Sequence, residues 1–67
     1  MTTKELIKRY DDHFRRVMNK SHSLRIRHNE AWCALTLAVV MGDRERMTNA
    51  SFACADLGNQ AKFSDEK

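Results

Sequence analysis

The sequence predicts an all-α chain folded as a small three-helix bundle, and three observations carry that prediction. Proline is absent and the only glycines are Gly42 and Gly58, so helix breakers are confined to two places. No stretch alternates apolar and polar residues as a half-buried strand does. Residues 31–41, AWCALTLAVVM, are apolar throughout except at Thr36. That run is too short to cross a bilayer, which takes about 20 apolar residues. At 100° per residue its apolar side chains go right round a helix. Trp32, Leu35 and Val39 form one ridge, Cys33, Leu37, Val40 and Met41 form another, and Ala31, Ala34 and Ala38 make a seam of small residues between them. A helix apolar on every side has to be covered on several sides. The sequence therefore places it as the buried central helix.

The first helix is predicted over residues 3–18. Thr2 and Glu5 have capping-box spacing, in which the hydroxyl accepts from the Glu5 amide and the carboxylate reaches back. Leu6, Ile7, Tyr10, Phe14, Val17 and Met18 fall in a stripe about 120° wide, the mark of a one-sided surface helix. Glu5–Arg9, Asp11–Arg15 and Asp12–Arg16 are acid-before-base pairs at i,i+4, each worth about 0.2–0.5 kcal/mol. Residues 19–23, NKSHS, form the first connection, where Ser21 or Ser23 can cap the second helix.

The second helix is predicted over residues 24–41. Arg25, Asn29 and Thr36 mark its only wet side, so its first half reads as exposed and its second half as buried. Gly42 suits the left-handed residue that closes a helix, and Asp43 suits the N-cap of the next. So short a turn makes the second and third helices antiparallel neighbours. The third helix is predicted over residues 44–57, with Met47, Ala50, Cys54 and Leu57 facing inward. Gly58 is expected to end it; were it to read through, Ala61 would continue the same stripe. The bundle is thus placed at residues 1–58, with a partly disordered tail at 59–67.

A chain of 67 residues makes one domain and buries only about 60% of the surface it exposes unfolded. Such a core rarely supplies more than about 3–5 kcal/mol, so a disulfide, a metal or a second subunit often supplements it. Cys33 and Cys54 are the only cysteines, and both sit among apolar neighbours. The first twenty residues are charged throughout and show no secretory signal. These features fit reduced, buried thiols in a cytoplasmic protein. A second subunit is then the favoured supplement, and a homodimer is expected.

The net charge of +3 is modest, but residues 14–29 contain no acid. There Arg15, Arg16, Lys20, Arg25 and Arg27 form a basic run that can meet nucleic-acid phosphates or an acidic protein surface. The aromatic residues nearby belong to the core stripes, so no base-stacking platform accompanies it. Phe52 lies about 160° from the inward stripe of the third helix. An aromatic so placed suits a partner or dimer contact, with the small Ser51 and Ala55 beside it letting a second helix approach. Phe63 falls on the same side if the helix extends.

His13, His22, His28, Cys33 and Cys54 contain no pair at the spacing of a zinc site. His13 reads as an ordinary surface residue near Asp12 and Arg16. No Gly-rich loop, nucleophile elbow or HExxH motif is present. No metal, cofactor or enzymatic activity is expected.

Ala31-Trp32, Leu35, Ala38, Gly42-Asp43 and Leu57 together resemble a tetratricopeptide repeat, whose helical hairpin carries Trp, Leu and Gly-Asp at similar places. The resemblance implies two closely packed helices. The sequence is one residue short of the repeat before the glycine, the first helix does not repeat the pattern, and such arrays need about 3 units. It is read as a packed hairpin, without membership of that family. The function expected is that of a small interaction protein: an adaptor, inhibitor or regulator of the kind phages and plasmids often encode. The alternatives are a nucleic-acid-binding regulator and a structural subunit of a larger assembly.

Overall fold

The computed structural model describes residues 2–65, with side chains described for residues 2–62. It is all α: α1 spans Thr3–Met18, α2 Leu24–Met41 and α3 Arg44–Asp65. The three form a small bundle in which α2 packs along both α1 and α3, while the backbones of α1 and α3 hardly approach each other. The molecule measures 43 × 21 × 14 Å.

The helix ends arise from local chemistry. The Thr2 hydroxyl accepts from the Glu5 amide at 3.2 Å, and the Ser23 hydroxyl accepts from the Ile26 amide at 3.2 Å. Each satisfies an amide that has no partner inside its helix. Gly42 closes α2 in the left-handed region at φ +68°, where a side chain would be strained. The Asp43 amide then returns to the Ala38 carbonyl at 3.1 Å, completing a Schellman-type cap. Asp43 caps α3 by accepting from the Arg46 amide at 3.1 Å and pairs with the Arg46 guanidinium at 2.5 Å.

The core is built from small residues. Ala31, Ala34, Ala38 and Ala50 are fully buried, joined by Tyr10, Val17, Cys54 and Leu57. One cluster unites Tyr10 with Ala34, Ala38 and Ala50, and a second unites Val17 with Ala31, Cys54 and Leu57. Each draws on all three helices. Tyr10 ties α1 to α3 directly: its hydroxyl donates to the Arg46 carbonyl at 3.2 Å, and the Arg46 guanidinium lies 5.6 Å from its ring centroid.

The central helix differs from the sequence expectation in the side it buries. Its alanine seam is enclosed, but the large residues beside it are not: Trp32 is 52% exposed, Val39 57% and Val40 66%. Leu35 and Leu37 are half-buried. Burial divides by face and not by half of the helix. The physical reason is that α1 and α3 both close on the alanine side, covering only about half of the circumference.

The third helix also departs from expectation. It reads through Gly58 and continues to Asp65, so residues 59–65 of the expected tail are helical. Residues 66–67 lie outside the described residues. Gly58 serves the packing: a Cβ there would stand 3.1 Å from His28 Nε2. It lets α2 come close without stopping α3. On α1, none of the three expected i,i+4 pairs is among the ion pairs of the described residues. Arg15 reaches Asp12 at 3.8 Å and Arg16 turns to Glu30 of α2 at 3.6 Å. Long exposed side chains gain little from pairing along one helix, so a partner on the neighbouring helix can take Arg16.

Overfilling the seam tests this core. Ala38→Leu should cost about 1–3 kcal/mol, a large part of what so small a core supplies, and so lower the melting temperature sharply by circular dichroism. Val40→Leu, on the exposed face, should melt like the parent. An Ala38→Leu protein as stable as the parent would place the seam outside the core.

Candidate interaction surface

The residues that α1 and α3 leave uncovered on α2 form one continuous face. Arg25, Trp32, Thr36 and Val39 succeed each other at spacings of seven, four and three, which keeps them within about 60° of one another on a helix. Arg25, Asn29, Trp32, Thr36, Val39 and Val40 are all exposed. The Trp32 ring is held in place by its indole N–H, which donates to His28 Nε2 at 3.1 Å, and the two rings meet edge to face. The Thr36 hydroxyl folds back onto the Trp32 carbonyl at 2.9 Å. Beside this face runs a shallow groove between α2 and α3, of about 290 Å³, lined by Trp32, Leu35, Ser51, Cys54 and Ala55.

A second uncovered apolar patch lies where α1 ends against α3. Phe52 is 71% exposed and Met18 65%, and they line a groove with Val17, Arg27, Ala53, Asp56 and Leu57. Among the described residues Phe52 is thus left largely uncovered. Ser51 and Ala55 line the groove beside Trp32, and Ala55 stands about 60° from Phe52 round α3. The side chain of Phe63 lies outside the described residues.

The basic run is divided among several tasks. Arg27 donates from Nε to the Val17 carbonyl at 2.7 Å, satisfying a carbonyl in the last turn of α1 and joining α1 to α2. Arg16 leans toward Glu30, and Arg15 sits near Asp12. Lys20 and Arg25 are exposed and make no ion pair among the described residues.

His13 is not the plain surface residue its surroundings in the sequence suggest. Its side chain is 28% exposed and its Nδ1 bonds to the Glu30 carboxylate, which is 18% exposed. The bond fastens α1 to α2 across their interface. It holds the Glu30 carboxyl below its ordinary value of 4.5, with the charges of His13 and Arg16 assisting and burial opposing. Burial pushes the Cys54 thiol up, which leaves it protonated and unreactive. Both cysteines are free thiols. Among the described residues, no cluster of His, Cys, Asp or Glu is placed to hold a metal, and no helix is long and apolar enough to cross a membrane.

No protein-family model matches the sequence, and no curated protein or solved structure proved similar to it.

Two parts of this surface escape sequence reasoning. The exposure of Trp32 and Val39 had a signal, since both lie within about 60° of the polar Arg25 and Thr36. The His13–Glu30 bond had none, because 17 positions separate the two residues and no local spacing relates them.

The bond has a testable pH dependence. Folding depresses the Glu30 pKa, so its contribution is complete above the ordinary value of 4.5 and is lost as the pH falls below it. Glu30→Gln should melt below the parent at about pH 6, and the gap should narrow as the pH falls below 4.5. A gap that persists in acid would mean that the carboxylate is not what stabilises this contact.

Proposed function

We propose that this protein is a small protein–protein interaction module, acting by occupying a partner's surface and carrying no chemistry of its own. The observation that supports the reading most is the apolar surface left uncovered: Trp32, Val39 and Val40 on α2, and Met18 and Phe52 beside the end of α1. A chain with so small a core gains by burying these groups, since full burial of one large apolar side chain is worth about 1.5–3 kcal/mol. Contiguous exposed patches of this kind mark interaction surfaces.

The Phe52 patch suits a second copy of the chain. Its groove contains one base, Arg27, and one acid, Asp56. A twofold contact presents the same patch from both sides, so Arg27 of each copy can face Asp56 of the other while the two Phe52 rings bury each other. Light scattering checks this arrangement. The parent should have the mass of a dimer, and Phe52→Glu should be a folded monomer with an unchanged circular dichroism spectrum. A parent that stays monomeric at high concentration, or a Phe52→Glu protein that stays dimeric, would remove the Phe52 patch from self-association.

A further inference from the structure

Three exposed bases, Arg44, Lys62 and Arg25, stand round the α2–α3 face. On α3, Arg44, Ser51, Ala55 and Lys62 succeed each other at spacings of seven, four and seven, which lines them up within about 40° along one side of the helix. Ser51 and Ala55 of that line form the groove beside Trp32, so Arg44 and Lys62 stand at its two ends. Arg25 extends the face along α2. All three are exposed and none makes an ion pair among the described residues. Among the residues whose side chains are described, no acidic residue lies on this ridge of α3 or on the uncovered face of α2. The centre is apolar and the margin is basic.

We infer that this face docks an amphipathic helix of another protein, one whose apolar stripe is flanked by glutamate or aspartate. The inference rests on the reading of the chain as an interaction module and names the partner chemistry. Helix-in-groove recognition uses apolar anchors at i, i+3 or i+4, and i+7, and here Trp32, Leu35, Cys54 and Ala55 line the matching hollow, with Val39 exposed on the same face of α2 as Trp32. At 1.5 Å per residue, the line from Arg44 to Lys62 is about 27 Å long, room for a helix of about 18 residues. The basic margin selects the flanks of the partner, because like charges set against each other across an interface are strongly unfavourable. It also argues against a second copy on this face: two copies would set basic margin against basic margin in either direction.

Selection from a displayed peptide library decides the matter. The library holds helical peptides of about 18 residues with a fixed aliphatic stripe and with flanks randomised among Glu, Gln and Lys, presented to the full chain. Enriched peptides should carry acidic flanks, shift the emission of Trp32 to the blue on binding, and bind at least about tenfold more weakly to Val39→Asp. The double variant Arg25→Glu, Arg44→Glu should select basic flanks instead. No enrichment, enrichment indifferent to the flanks, or winners that bind Val39→Asp as well as the parent would overturn the inference. Displacement of the peptides by single-stranded RNA, with the same shift of Trp32, would overturn it too and assign the face to nucleic acid. A failed selection with a dimer still split by Phe52→Glu would remove only this face, whereas failure of both would remove the interaction reading as well.

Discussion

Ala31, Ala34 and Ala38 stand on one side of α2 and are fully buried, and the close approach they permit determines how the rest of the chain is used. Where side chains are a single methyl, neighbouring backbones can come near, and both α1 and α3 do so from the same side. Ala50 and Gly58 on α3 continue the device: the first is fully buried and the second gives room to the His28 ring. The cost is that the large apolar residues of α2 are displaced to the flanks and the far face. Among the described residues no bulky side chain is completely enclosed; even Tyr10 and Leu57 retain a few per cent of their surface. A core made this way buries little apolar area per residue, and burial of apolar area is the main favourable term in folding.

The polar contacts between helices compensate in part and set the register. Tyr10 reaches the Arg46 carbonyl of α3, Arg27 reaches the Val17 carbonyl of α1, and Glu30 gathers His13 and Arg16. Each links a side chain on one helix to a group on another, and two of the three end on backbone carbonyls. Such directional bonds specify one alignment of helices where a stripe of alanines alone would tolerate sliding. They also draw Arg16 and Arg27 into the architecture.

The fold was largely legible because its determinants are local. The cap at Thr2, the cap at Ser23, the left-handed Gly42 and the Asp43 cap each depend on residues no more than a few positions apart, and these mark where α1 starts, where α2 begins and ends and where α3 starts. What was not legible depends on how helices meet. An apolar run such as residues 31–41 says that several sides want cover; it does not say how many neighbours come, or from which direction. Gly58 illustrates the same limit. A glycine reads as a helix end from sequence, yet here it answers His28, a residue on another helix. For the candidate surface, the isolation of Phe52 was readable because it rests on angles within one helix. The face around Trp32 was readable only in part: the polar residues along it are a signal, but its exposure depends on α1 and α3 sharing a side.

Small residues of α2 are enclosed while its large ones face out, and Trp32 reports on this directly because it is the only tryptophan in the chain. Fluorescence of the native protein, with acrylamide and iodide as quenchers, separates the two arrangements. An outward Trp32 predicts red-shifted emission and efficient quenching by both agents in the folded state, with only a small further change on unfolding. Blue-shifted emission, protected from quencher until the chain unfolds, would contradict it and return Trp32 to the core.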